Sequence, residues 1–157
     1  EASTRMEFSP AASSEEAGLV VIQNDRSAWL LTLSGDRATR SLRLYQRLFE
    51  KNTIVAEVPF DGKAVHLRVT GDYLSYTFNY SVDGLEWQSL GGEVDGRSLS
   101  PAVLGGFNYT GVYLGLYASS NSAPTKKHAD FDFFRYQPTS QERDRWYDRQ
   151  MRRHSPE

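Results

Sequence analysis

The side chains of this chain that could do acid, base or ligand chemistry are few and scattered. Asp130 and Asp132 stand two apart in the run ADFDFFRY. Residues two apart in an extended strand share a face, so the carboxylates would lie side by side. Such a pair can take a hard cation through oxygen ligands. It can equally be the solvated face of a strand, with Lys126 or Arg135 close by. The three histidines, His66, His128 and His154, show neither HxH nor HExxH spacing and read as surface or rim residues. With no cysteine, disulfide, thiolate-metal and cysteine-nucleophile chemistry are excluded. There is no GxSxG turn to expose a nucleophilic serine. The glycine pairs at Gly91 and Gly105 lack the lysine and helix that complete a phosphate loop.

What the chain has in quantity is aromatic side chains: 9 Tyr, 8 Phe and 3 Trp in 157 residues. That length supports one domain with one core. Rings must supply much of its buried area. The net charge of −2 gives no field directed at nucleic acid or an anionic membrane, and no apolar run approaches a membrane span. Absence of cysteine leaves the compartment open.

The elements that carry these residues are strands. Apolar residues alternate with polar ones nearly throughout. Met6 and Phe8 open the first strand. Ala17–Gln23 is a continuous apolar run, as in a central strand of a sandwich. Asn24-Asp25 turns it back into Ser27–Ser34. Leu42 and Leu44 alternate with Ser41, Arg43 and Tyr45. A helix is an alternative there, since Leu44, Leu48 and Phe49 share a helical face, but the neighbouring strands favour a strand. Ile54, Ala56 and Val58 continue the pattern on one face. Val65, Leu67 and Val69 face one way, His66 and Arg68 the other. Leu74, Tyr76, Phe78, Tyr80 and Val82 share a face up to the Asp83-Gly84 turn, and Trp87 leads the return. Gly91-Gly92, Asp95-Gly96 and Ser100-Pro101 mark a loop. Val112, Leu114 and Leu116 alternate with Tyr113 and Tyr117. In the last strand Phe131 and Phe133 alternate with Asp130 and Asp132. The expected fold is all-β, an antiparallel two-sheet β-sandwich over residues 1–138. Residues 139–157 form a polar C-terminal helix or tail, with Thr139 or Ser140 as its cap. The alternation is already under way at Thr4, Met6 and Phe8, so the sandwich is expected to lack its first strand or strands.

Five segments in order carry a family resemblance: EEAGLVVIQND, KAVHLRVTGD, FNYSVDGLEWQSLG, GGFNYTGVYLGLYAS and ADFDFFRY. Together they resemble the C-terminal concanavalin-A-like domain of glycoside hydrolase family 43, the β-xylosidases and α-L-arabinofuranosidases. The resemblance runs from about Ala2 to Tyr136. It implies a jelly-roll sandwich packed on a catalytic five-bladed β-propeller, which holds the catalytic carboxylates and takes the plant cell-wall oligosaccharide. The chain itself would then be a non-catalytic accessory domain, with no cofactor required.

The resemblance also assigns residues. Phe107, on a loop freed by Gly105 and Gly106, would reach the mouth of the propeller's sugar pocket and exclude water there. The plainer alternative is a ring covering the sandwich edge. Related sandwiches often hold a structural calcium through an aspartate in a strand like DFFRY, which selects Asp132 here. The other ligands would come from the missing first strand. Asp130 and Asp132 do not suit glycoside hydrolysis, because nothing places a sugar between them at the required separation. Tyr113 and Tyr117, on the face opposite the leucines, are candidates for stacking on sugar rings. Core packing is the simpler account of the other aromatics. Asn79 and Asn108 begin glycosylation sequons, relevant only in a secreting eukaryote. A docked propeller would leave the one at Asn108 unused. Two rival functions are an independent carbohydrate-binding or lectin-like module and a structural interaction domain using the basic segment Arg143–Arg153.

Overall fold

The computed structural model describes residues 1–49, 51–72, 74–105 and 111–138. These form two five-stranded sheets, with every neighbouring pair antiparallel. The first sheet has the order β10-β1-β6-β7-β8. Its strands are β1 (Ala2–Phe8), β6 (Ala64–Asp72), β7 (Ser75–Ser81), β8 (Gln88–Asp95) and β10 (Ala129–Tyr136). The second has the order β5-β4-β3-β2-β9. It comprises β2 (Glu16–Asn24), β3 (Ser27–Gly35), β4 (Arg40–Leu48), β5 (Lys51–Pro59) and β9 (Tyr113–Ser119). A 3-10 turn (Gly96–Leu99) and a short helix, α1 (Pro101–Leu104), follow β8. No helix among the described residues is long and apolar enough to cross a membrane.

The period of two decides what is buried. In β1, Ala2, Thr4, Met6 and Phe8 point inward while Ser3, Arg5 and Glu7 do not. Val65, Leu67 and Val69 of β6 join them, as the alternation predicts. From the other sheet come Leu19, Val21, Leu31, Leu33, Leu42 and Leu44. Each such side chain contributes roughly 1.5–3 kcal/mol when fully buried. Segment 40–48 is a strand, because only a strand lets Leu42 and Leu44 enter this core while Tyr45 is buried on the opposite face. Strand β3 is buried on both faces along its whole length. Its outward residues, with Val20 and Tyr45, form a second apolar cluster against Ile22 and Tyr117.

Local irregularities shift several expected faces. Gly91 and Gly92 lie inside β8 and form no loop. Both have positive φ, and between Thr77↔Glu93 and Asn79↔Ser89 they are the extra residues of a bulge. A bulge at Val55 sets Ala56 opposite Leu44 but Ile54 opposite Tyr45. Ile54 therefore leaves the face of Ala56 and Val58. Another bulge at Asp132 sets Phe131 opposite Met6 but Phe133 opposite Arg5. Phe133 is thus outward, and Phe134 and Tyr136 take the inward positions beside Thr4 and Ala2. Leu74 and Val82 flank β7 and are exposed, so only Tyr76, Phe78 and Tyr80 of that row meet the core. Trp87 precedes β8, and the guanidinium of Arg68 lies 4.0 Å from its ring centroid.

Candidate functional site

Carboxylates are the natural place to look for chemistry, and most of them hold the chain together. Asp83 accepts from the Leu85 and Glu86 amides and the Ser81 hydroxyl. These bonds, backbone amides first, bring its pKa down to about 2. Asp36 closes the β3–β4 turn through the Thr39 and Ala38 amides, and its pKa is lowered for that reason. Asp95 caps the 3-10 turn through Arg97 and is lowered likewise. Glu15 is held by the Thr125 hydroxyl and the Ala11 amide and is lowered too. A general acid working near neutral pH needs the opposite shift. These carboxylates therefore have structural work and not acid catalysis.

The outer face of the second sheet carries the most developed polar arrangement. Glu16, 7% exposed, is held by neutral donors. The Tyr45 hydroxyl donates at 2.9 and 3.0 Å, Tyr117 at 3.2 Å, Asn121 Nδ2 at 3.2 Å and Thr32 at 3.3 Å. Burial, followed by the charge of Glu16, pushes the Tyr45 phenol well above the ordinary tyrosine range. This network ties β2, β3, β4 and β9 together. One pair along, Ser41 and Arg43 donate to Glu57 Oε1 at 2.5 and 2.8 Å. Those two bonds hold the Glu57 carboxyl below the usual range.

The two tyrosines proposed for stacking differ in environment. Tyr113 is 63% exposed and projects from the edge strand β9. Tyr117 is half-buried against the outer apolar cluster, with its hydroxyl tethered to Glu16. It has less ring to offer than its alternation with the leucines suggests.

Asp132 is engaged in an ion pair. Its Oδ2 accepts from Arg5 Nη1 at 2.5 Å, and the same guanidinium bonds Glu7 at 2.7 Å. Among the described residues no group of three or more His, Cys, Asp or Glu could hold a metal. His128 lies 3.7 Å from Asp130, and both are exposed. His66 meets the edge of Trp87 with centroids 6.5 Å apart. Asn79 lies mid-strand in β7, half-buried between Arg68 and Ser89, and not on a loop. Phe107, Asn108, His154, Arg143–Arg153 and the whole of segment 139–157 lie outside the described residues.

Glu16, Tyr45 and Asn121 were not singled out by sequence reasoning. Glu16 sits where a loop meets an apolar run, and such a glutamate normally reads as solvated. The useful signal was Tyr45 among outward polar residues of β4, since a large ring there needs cover.

The match to the family described as the β-xylosidase C-terminal concanavalin A-like domain covers residues 1–137. A non-reducing end α-L-arabinofuranosidase of Bacteroides ovatus is 33% identical over 135 residues, which are 85% of this chain and 25% of that protein. A putative β-xylosidase of Escherichia coli is 31% identical over 144 residues, 87% of this chain and 27% of that protein. Among solved structures, a xylan β-1,4-xylosidase from Bacillus halodurans superposes with a TM-score of 0.79 at 25% identity, covering 87% of this chain and 27% of that one. The chain thus spans about a quarter of the length of the curated relatives it matches.

Proposed function

This chain belongs to the family of β-xylosidase C-terminal concanavalin A-like domains, and on that premise we propose that it is the non-catalytic accessory domain of a larger glycoside hydrolase. The parent acts on β-xylosides or α-L-arabinofuranosides derived from xylan, through carboxylates on a catalytic β-propeller. The observation that carries this reading is the pairing of a match over residues 1–137 with coverage of only 25% and 27% of the first two relatives. The lowered pKa values of Glu15, Asp36, Glu57, Asp83 and Asp95 support it, since those five carboxyls are not set up to donate a proton near neutral pH.

The open side of the sandwich, between β9 and β10, supports a packed partner. Leu116, Phe134 and Tyr136 occupy inward register positions, opposite buried Leu19, Thr4 and Ala2, yet are 41%, 41% and 59% exposed. Apolar core-side positions left this open suit burial against another part of the parent. Phe107, in the segment between α1 and β9, is proposed to wall the propeller's sugar pocket. In the full-length parent, Phe107→Ala is expected to lower kcat/KM for an aryl pentoside while leaving the melting temperature unchanged. Unchanged kcat/KM would remove Phe107 from the pocket.

A further inference from the structure

Two depressions on the outer face of the second sheet adjoin through Ser13 and Arg43. One is lined by Asp36, Ser41, Glu57 and Asp61, the other by Glu16, Asn52, Ile54 and Asn121. Together they make a trough with the Arg43–Glu57 pair at its middle. That pair is half-used. Both bonds to Glu57 fall on Oε1. Arg43 uses only Nε, so among the described residues Glu57 Oε2 and both terminal nitrogens of Arg43 are left without a hydrogen-bond partner. The Arg43 side chain is 31% exposed and that of Glu57 40%.

One free acceptor beside several free donors is what adjacent hydroxyls require, because each hydroxyl both donates and accepts. An ionised acceptor and donor make those bonds stronger than neutral ones. The bulge at Val55 adds the second component of a sugar site. It turns Ile54, 54% exposed, onto this face, where it can cover the apolar C–H side of a ring. The buried Glu16 network fixes the floor, since Tyr45 and Asn121 are both bonded to it.

The charge pattern narrows the ligand. Arg43 is offset by Glu57, and Arg40 donates to the carbonyls of Asp61 and Gly62. Asp36 is taken up by its own turn. The trough therefore has no cationic excess for an anion and no open carboxylate cluster for a metal. A neutral polyol remains.

We propose that this trough is a saccharide subsite separate from the parent's pocket, taking a neutral pentose oligosaccharide with Arg43 and Glu57 clasping a vicinal hydroxyl pair. The choice of a pentose rests on the proposed function; the geometry alone selects a neutral sugar. The test is a titration of the 157-residue chain with xylotetraose, followed by amide chemical shifts. Saturable shifts centred on Arg43, Glu57 and Ile54 are expected, weakened about tenfold or more by Arg43→Ala, as for loss of a charge-assisted bond. If Arg43→Ala does not fold, Glu57→Gln or Ile54→Ser takes its place. No saturable shifts, shifts centred on Tyr113 instead, or shifts unchanged in the folded variants would overturn the subsite. Turnover by the parent and its response to Phe107→Ala do not depend on this result, so the accessory reading stands or falls separately.

Discussion

Arg5 of β1 and Asp132 of β10 are joined at 2.5 Å across a bulge, and that contact decides what the last strand can do. The extra residue at Asp132 turns its carboxylate onto the charged outer face, where Arg5 already bridges to Glu7. Calcium is therefore expected to leave the melting temperature of the chain unchanged, as is a chelator. Asp132→Asn should cause only a small loss of stability, as for exposed pairs generally. A rise in melting temperature with added calcium, lost in Asp132→Asn, would show a metal site.

Tyr45 anchors a carboxylate with no direct cationic partner among the described residues. Removing its hydroxyl leaves Glu16 short of its nearest donor in a buried setting. Tyr45→Phe is expected to cost about 2 kcal/mol, typical of a hydrogen bond to a charged group. Denaturant unfolding measures it. Tyr113→Ala, on an exposed ring, should change stability by less than about 0.5 kcal/mol.

The Asp83 turn gives the fold a defined acid sensitivity. The carboxyl has a pKa of about 2 in place of 3.8. A depressed pKa contributes stability above the ordinary value, and this is lost as pH falls through the depressed one. The gap in urea midpoint between the natural chain and Asp83→Ala should be constant from neutral pH to about 4. It should then shrink as the pH falls to about 2. A gap independent of pH would mean that charge plays no part in this turn.

Gly91 and Gly92 separate two costs of a side chain in the β8 bulge. Both have positive φ, which disfavours alanine by roughly 1–2 kcal/mol. A Cβ on Gly91 would also lie 2.8 Å from Leu44 Cδ2, whereas one on Gly92 meets nothing within 4 Å. Gly91→Ala should therefore be the more destabilising change by thermal unfolding. Equal losses would show that the contact with Leu44 relaxes freely.

Much of the sandwich was legible in the chain because its strands obey the period of two. Val65, Leu67 and Val69 fell on the core side as read, and the two-faced burial of β3 follows from its unbroken apolar run. The misplaced faces share one cause. Bulges at Val55 and Asp132 each insert one residue and so shift the phase of the alternation, and a bulge has no side-chain pattern of its own. That is why Ile54 and Phe133 were misread; the Gly91-Gly92 bulge inserts two residues and keeps Leu90 and Val94 on the core side, and it reads as a loop only because paired glycines ordinarily mark one. The Glu16 network was hidden for another reason. Its members come from β2, β3, β4, β9 and the turn at Asn121, and only the pairing of strands brings them together. The Arg43–Glu57 pair likewise exists only through the β4–β5 register.

The central claim is that this domain supports hydrolysis without performing it. Its most direct test compares turnover of aryl β-xyloside and aryl α-L-arabinofuranoside by three purified proteins. These are the 157-residue chain, the full-length parent, and the parent without residues 1–138. The account predicts no turnover by the chain, turnover by the parent, and a marked fall in activity or stability once the sandwich is removed. Turnover by the chain alone, or a truncated parent as active and as stable as the whole, would contradict it.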